Sequence, residues 1–254
     1  MPGSSLWLLP PRSHPLHALL TTLIQFTLPA RFPREAASSQ RVAPHFFPAH
    51  VTLTSGIDPG VYGDDPQRWL DRIPFEGCCC SPAAAAAGGG GGDGGGGGSG
   101  NGNGKGEERP RARIRFERVV SQDVFYRRCF VRVAFEGVRE LAGVARAVGV
   151  VGERVEVEEG GGVRFGGQTE NWLREWREEF GPHVSLMYGD ELISNETLAE
   201  ITKEVQKAGV KLSEVGALGT EQNGLDGWDG GVIWLVPTDK PISQWWEPIA
   251  TREI

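Results

Sequence analysis

Two short stretches of similar sequence restrict most strongly what this chain can fold into. They are His50-Val51-Thr52-Leu53 and His183-Val184-Ser185-Leu186, each a histidine, an apolar residue, a small hydroxyl residue and a second apolar residue. In a β-strand, alternate side chains point to the same side, so each stretch would present its imidazole and hydroxyl on one face. If the two strands lie side by side, two imidazoles and two hydroxyls share one space. The fold is therefore predicted to bring the two stretches together.

These four side chains are suited to binding and cleaving a phosphate diester. The hydroxyls of Thr52 and Ser185 can donate hydrogen bonds to the non-bridging oxygens. One neutral imidazole, of His50 or His183, can take a proton from water, and the other, as imidazolium, can give a proton to the leaving alkoxide, because the unperturbed pKa of histidine is about 6.5. Either histidine can fill either role. No carboxylate or cysteine at ligand spacing accompanies them, so neither a metal nor a cofactor is predicted.

Composition limits the partners and the domain organisation. The chain has 254 residues and a net charge of −7, which argues against binding long nucleic acid and leaves a small phosphorylated molecule as the predicted substrate. Residues 81–110 are almost entirely alanine and glycine and are predicted to be a disordered insertion, and residues 152–168 a flexible glycine-rich loop. Gly104-Lys105 does not follow phosphate-loop spacing. The remainder is predicted to form a single domain over 1–254.

Cysteines and the N-terminal region bear on location. Cys78, Cys79 and Cys80 are adjacent and Cys129 lies in an apolar run, which fits neither a disulfide framework nor a zinc site and indicates a reducing compartment. The apolar residues between 14 and 28 recur at helical spacing, so a core helix is predicted rather than a signal peptide or membrane span. A monomer in the cytoplasm is expected, with Golgi association as the alternative location.

The order of predicted elements mixes strand pairs and long helices without regular alternation, which indicates an α+β fold with antiparallel sheets. The predicted strands are 4–9, 46–55, 114–120, 125–135, 184–188, 210–218 and 232–236, and the predicted helices are 14–28, 65–73, 138–148, 169–180 and 194–208. Trp172 and Trp176 are interpreted as core residues of the helix 169–180. The two motif strands fall in separate halves of the chain, which favours two lobes facing one cleft.

The paired motifs resemble those of the 2H phosphoesterase superfamily, and the chain is similar to the cyclic phosphodiesterases of fungi and plants. The matching stretches are Leu6-Trp7-Leu8-Leu9-Pro10, Pro48 to Thr54, Val124-Phe125-Tyr126, Pro182 to Asp190 and Trp234-Leu235-Val236. The resemblance implies a bilobal fold, with two antiparallel sheets facing a central cleft and helices outside. It also implies that Trp7, either Phe125 or Tyr126, and Tyr188 flank the ligand.

The activity implied by the resemblance is metal-independent hydrolysis of nucleoside 2′,3′-cyclic phosphates, and of ADP-ribose 1″,2″-cyclic phosphate, to 2′-phosphate and 1″-phosphate products. These substrates link the family to the by-products of tRNA splicing. Two alternatives are an enzyme acting on the 2′,3′-cyclic ends of oligonucleotides, which would need a basic groove, and a non-catalytic nucleotide-binding module, which would not need two proton-transfer groups.

Overall fold

A computed structural model of the chain describes residues 3–37, 44–75, 112–158, 162–213 and 225–254. The predicted Ala/Gly-rich insertion 81–110 and the three adjacent cysteines lie outside the described residues. So do positions 214–218 of the strand predicted over 210–218.

Eight of the ten strands in the described residues form one curled antiparallel sheet, in the order β10-β9-β1-β2-β7-β4-β3-β8. The strands β5 and β6 form a separate two-stranded ladder. The strand bounds are β1 Ser4–Leu9, β2 Val51–Ile57, β3 Arg113–Val120, β4 Cys129–Val133, β5 Glu156–Val157, β6 Val163–Arg164, β7 His183–Met187, β8 Gly227–Asp229, β9 Val232–Val236 and β10 Ala250–Glu253.

Several helices of the described residues contact strands of the sheet, and three of the helices continue into a turn of π-helix. The α-helix bounds are α1 Pro15–Thr22, α2 Leu28–Arg31, α3 Pro59–Tyr62, α4 Pro66–Arg72, α5 Arg139–Arg146, α6 Gly167–Glu175 and α7 Asn195–Lys207. The π-helical turns are Leu23–Thr27, Ala147–Val151 and Trp176–Phe180, and the 3₁₀ turns are Phe125–Arg127 and Ile242–Gln244. The α+β class predicted from the sequence is confirmed.

Helix ends follow the local sequence. Ser194 caps α7, because its hydroxyl accepts a hydrogen bond from the Thr197 N–H at 3.1 Å, and the positive φ of Gly209 ends the turn after it. Asp65 caps α4 in the same way, ahead of Pro66 at its first position. The helices predicted over 65–73 and 194–208 are therefore confirmed.

The sheet differs from the prediction of two separate sheets. Its halves, β10-β9-β1-β2 and β7-β4-β3-β8, are joined where β2 pairs with β7 through Val51 and Val184. Both valines are fully buried, and α5 packs against β2. The two motif strands are thus direct neighbours at the centre of one sheet.

Several predicted strands begin or end elsewhere. The strand predicted over 46–55 begins only at Val51. The strand predicted over 125–135 is a 3₁₀ turn followed by β4, and residues 210–213 form no strand. Residues 152–168, predicted as a loop, contain the β5–β6 ladder and the start of α6. The short strands β8 and β10 were not predicted, because three or four residues are too few to show a periodic pattern.

Candidate active site

The pairing of β2 with β7 places the two motifs face to face. Val51 is the partner of Val184, so continuing the antiparallel register by one residue puts His50 opposite Ser185 and Thr52 opposite His183. Side chains next to a paired residue point to the other side of the sheet, away from the buried valines. All four polar side chains line one cavity of about 340 Å³. The structure therefore brings the predicted residues together, and their roles stay predictions.

His50 is held by its backbone surroundings and by an indole ring. Its Nδ1 lies 2.6 Å from the carbonyl oxygen of Pro48, so Nδ1 carries the proton and Nε2 is left as an acceptor. Its ring stacks on Trp7, with centroids 3.7 Å apart and planes 11° apart. Burial lowers the pKa of His50 to about 3, against the opposing effect of the Pro48 hydrogen bond, and the charge of His183 lowers it further.

His183 has a matching arrangement on the neighbouring strand. Its Nδ1 lies 3.0 Å from the carbonyl oxygen of Gly181, again two residues earlier in the chain. Gly181 has a φ of +59°, a conformation that favours glycine. Burial lowers the pKa of His183 to about 4. The hydrogen bond to Gly181 opposes this shift, and the positive charge of Arg127 lowers the pKa further. Both imidazoles are therefore neutral at pH 7, with Nε2 as an acceptor.

The hydroxyl residues lie beside the opposite motif's histidine. Ser185 is buried, and its hydroxyl donates to the carbonyl oxygen of Tyr126 at 3.2 Å. Rotation of this hydroxyl would let it donate to an anion instead. Thr52 is half-buried, and its backbone is paired with that of Trp7 on β1. Two hydroxyl donors and two imidazoles facing one space can hold a tetrahedral oxyanion and transfer protons around it.

Aromatic side chains form the walls near the histidines. Trp7, Tyr126 and Tyr188 line the cavity. Tyr188 stacks on Phe47 with ring centroids 3.8 Å apart, and burial raises the pKa of its phenol. Of the two aromatic candidates in the turn before β4, Tyr126 lines the cavity. Phe125 does not line it but packs behind this wall, 4.8 Å from Tyr126 between ring centroids.

Four aromatic residues of the cavity wall were not predicted as site residues. Trp172 and Trp176, interpreted as core residues from the sequence, line the cavity together with Phe180, and Trp245 lies 5.6 Å from Trp7 between ring centroids. The spacing of residues 172, 176 and 180 on one helical face, just before the second motif, was the available signal. That spacing does not distinguish packing in a core from packing along a cavity. Three further residues of the cavity wall were not predicted as site residues either: Arg127, Thr54 and Thr238.

The described residues contain neither a metal-binding cluster nor a membrane-spanning helix. No group of three or more His, Cys, Asp or Glu side chains there is arranged to hold a metal ion. No helix in the same part of the chain is both long and apolar enough to cross a bilayer.

The site combines two His-x-hydroxyl motifs, paired at the centre of an antiparallel sheet, with an aromatic cavity wall, a combination suited to cleaving a phosphodiester. The family described as cyclic phosphodiesterase-like protein matches residues 1–254, and the chain belongs to that family. It is 48% identical over 254 residues to the 2′,3′-cyclic-nucleotide 3′-phosphodiesterase of Neurospora crassa, covering 99% of both chains. It is 36% identical to the protein of that name from Phaeosphaeria nodorum, covering 100% of both chains, and 27% identical to that of Yarrowia lipolytica, covering 99% of both. The predicted resemblance is confirmed.

Proposed function

We propose that this protein hydrolyses nucleoside 2′,3′-cyclic phosphates without a metal and leaves a 2′-phosphate. The observation that carries the proposal is the β2–β7 pairing, which directs two histidines and two hydroxyls into one cavity. Both histidines have Nδ1 bound to a backbone carbonyl, so both have Nε2 available for proton transfer. The names of the fungal relatives give the same activity for those proteins.

The proposed reaction uses both histidines in turn. Neutral imidazole takes a proton from water as the water oxygen attacks phosphorus, the bond from phosphorus to O3′ breaks, and the second histidine, as imidazolium, gives its proton to O3′. The hydroxyl group of the water thereby ends on phosphorus and a proton ends on O3′, and the two histidines exchange protonation states. The anionic substrate raises the pKa of the histidine that must act as acid, because an adjacent negative charge favours imidazolium. Thr52 and Ser185 donate to the non-bridging oxygens, and Trp7, Tyr126 and Tyr188 flank the ribose and base.

The size of the cavity supports a mononucleotide substrate. A volume of about 340 Å³ is at the lower end of ligand pockets, which span about 300–1,000 Å³. A net charge of −7 does not favour an extended RNA strand.

ADP-ribose 1″,2″-cyclic phosphate, which contains the same five-membered cyclic diester, is the second proposed substrate, and both would arise as by-products of tRNA splicing. The proposal includes a bilobal domain with one lobe on each half of the sheet, acting as a monomer in the cytoplasm.

The test is hydrolysis of 2′,3′-cyclic AMP in the presence of EDTA, with the product isomer identified by ³¹P NMR. We expect 2′-AMP as the product and no loss of rate with chelator. His50→Ala and His183→Ala should each lower kcat by about 10²–10⁴-fold, the usual contribution of a general acid or base. His17→Ala, on α1 and outside the cavity, is the matched control.

Full activity in both site variants would refute the proposed mechanism. Loss of activity with EDTA would refute its metal independence, and product release only from oligonucleotides would favour the RNA-end alternative.

A further inference from the structure

One arginine lines the cavity of the two histidines. Arg127 is the only lysine, arginine, aspartate or glutamate among the described residues that form the cavity wall. It lies in the 3₁₀ turn Phe125–Arg127, immediately before β4. Because both imidazoles are neutral at pH 7, Arg127 gives this wall a net charge of +1. A cyclic phosphate diester carries a charge of −1, so the wall and the substrate are complementary in charge.

The backbone of Arg127 is fixed beside the second motif. Its N–H donates to the carbonyl oxygen of Val124 at 2.9 Å, and its own carbonyl oxygen accepts from the Gln122 N–H at 3.1 Å. The preceding carbonyl, that of Tyr126, accepts the Ser185 hydroxyl. The turn that carries Arg127 therefore also holds Ser185.

The side chain of Arg127 reaches the segment that leads into His183. Its Nη1 donates to the carbonyl oxygen of Glu179 at 3.3 Å, and its Cζ lies 4.5 Å from the centroid of the Phe180 ring. Phe180 is three residues before His183 in the chain. The backbone of Arg127 thus follows the carbonyl that holds Ser185, and its guanidinium lies beside the segment that leads into His183.

The guanidinium has donors to spare. It has five N–H groups. Within the described residues it forms one side-chain hydrogen bond, the long one of 3.3 Å to the carbonyl oxygen of Glu179. Among the described residues Arg127 forms no ion pair within 4.0 Å, and the charge of Glu179 acts on it from farther away, opposing the lowering of its pKa by burial. Its contact with a phenyl ring leaves the edge of the guanidinium accessible to oxygen acceptors. In contrast, Arg128 is buried and committed to Asp123 and to the carbonyl oxygens of Gly189 and Asp190.

We propose that Arg127 binds the phosphate of the substrate and stabilises the negative charge that develops on it as the ring opens. This inference rests on the proposed function. Attack by water takes the phosphorus group from a charge of −1 toward −2, and a fixed positive charge beside it favours the later state more than the earlier one. Arg127 transfers no proton, so the two histidines keep the acid and base roles, and its charge acts on one of them by lowering the pKa of His183.

The first test compares kcat/KM for 2′,3′-cyclic AMP among single variants. Arg127→Met should lower kcat/KM on the order of 10²-fold, comparable to loss of a transition-state donor, and Arg127→Lys should retain more activity than Arg127→Met because it keeps the charge. Arg177→Met is the matched control. Arg177 lies in the neighbouring π-helical turn with its Cζ 5.1 Å from the Phe135 ring centroid, and it is outside the cavity wall. Its loss should change kcat/KM by less than about 2-fold, as expected of an exposed charge away from the reaction.

A second measurement separates a charge role from a structural one. Calorimetric titration with 2′-AMP and with adenosine should show that Arg127→Met weakens binding of the phosphate-bearing ligand by at least 10-fold and leaves adenosine binding unchanged. Added guanidinium should restore part of the activity of Arg127→Ala. Equal weakening of both ligands together with absence of rescue would mean that Arg127 only supports the Glu179–Phe180 turn, and the inference would be wrong.

The two proposals fail in different ways. Wild-type activity in Arg127→Met would overturn the role of Arg127 and leave the proposed function standing. A wild-type protein that cleaves no 2′,3′-cyclic phosphate would overturn the proposed function, and 2′-AMP titration of wild type and Arg127→Met would still decide whether Arg127 binds phosphate. A thermal unfolding midpoint for each variant shows whether it is folded under the assay conditions.

Discussion

Acid should destabilise this fold through its two site histidines. The pKa of His50 is about 3 and that of His183 about 4 in the folded protein, whereas an unperturbed histidine has a pKa of about 6.5. Between these values the unfolded chain binds protons that the folded protein does not. A histidine with a lowered pKa contributes its full stability above the unfolded pKa, and that contribution is lost as the pH falls toward the folded pKa.

The size of the effect follows from proton linkage. Each histidine that is protonated only in the unfolded state lowers the free energy of unfolding by about 1.4 kcal/mol per pH unit. Over the interval from about pH 6 to about pH 4.5, the pair should therefore remove roughly 3–4 kcal/mol. That is a large fraction of the roughly 5–15 kcal/mol typical of a folded domain. Most carboxylates, with an unperturbed pKa near 4, titrate below this interval.

The assay is urea unfolding followed by tryptophan fluorescence at several pH values in that interval. His50→Asn should remove about 1.4 kcal/mol per pH unit from the slope of stability against pH, and His50→Asn/His183→Asn about twice that. The absolute stability of the variants will differ because the stack on Trp7 is lost, so the slope is the quantity to compare. His17→Asn, whose partly exposed imidazole has a pKa lowered by burial, is the control and should have a much smaller effect. A slope that is the same in wild type and in the double variant would show that the two imidazoles are not buried in their neutral form.

Three further predictions concern the scaffold around the site. Burial raises the pKa of the Cys129 thiol to about 12, so iodoacetamide at pH 8 should leave Cys129 unmodified in the native protein and alkylate it after unfolding, as measured by mass spectrometry. Trp228→Ala should lower the free energy of unfolding by about 3–5 kcal/mol, because this side chain is 1% exposed and packs against Phe116; Trp228→Phe should cost distinctly less. Gly227→Ala should also destabilise, by about 1–3 kcal/mol, because Gly227 has a φ of +152° and an added Cβ would overlap the Ile114 carbonyl oxygen, whereas Gly167→Ala, with open space around it, should have little effect in the same unfolding assay.

The parts of the fold that were predictable are those with a local chemical cause. The helix at Ser194 was predicted because a capping hydroxyl and a glycine stop both act within a few residues. The pair of histidine motifs was predictable because a strand fixes which side chains share a face. In contrast, the start of β2 at Val51 depends on which residues find a partner on β1 and β7, and that is a property of the whole sheet.

The aromatic part of the site shows where local patterns stop being informative. Trp172 and Trp176 have the same spacing in a core and along a cavity. A helix repeats its apolar residues with the same period in both cases, so the pattern alone cannot tell them apart. Trp245 is far from both motifs in sequence, and only the path of the chain after β9 brings it to Trp7. Arg127 could not be predicted either, since its significance lies in its place on the cavity wall beside the second motif, which only the folded chain shows.

The duplication of the motif has a consequence for how acid and base are divided. His50 and His183 each bind a backbone carbonyl two residues earlier through Nδ1, so both have the same tautomer. The register of β2 and β7 also gives each the same neighbour, the hydroxyl of the other motif. Neither hydrogen bonding nor tautomer therefore distinguishes the two imidazoles, but their surroundings do: His50 stacks on Trp7, whereas the charge of Arg127 acts on His183. In the proposed mechanism the bound substrate completes the division of roles, because the histidine beside O3′ gives it a proton and the one on the opposite side of phosphorus takes a proton from the attacking water.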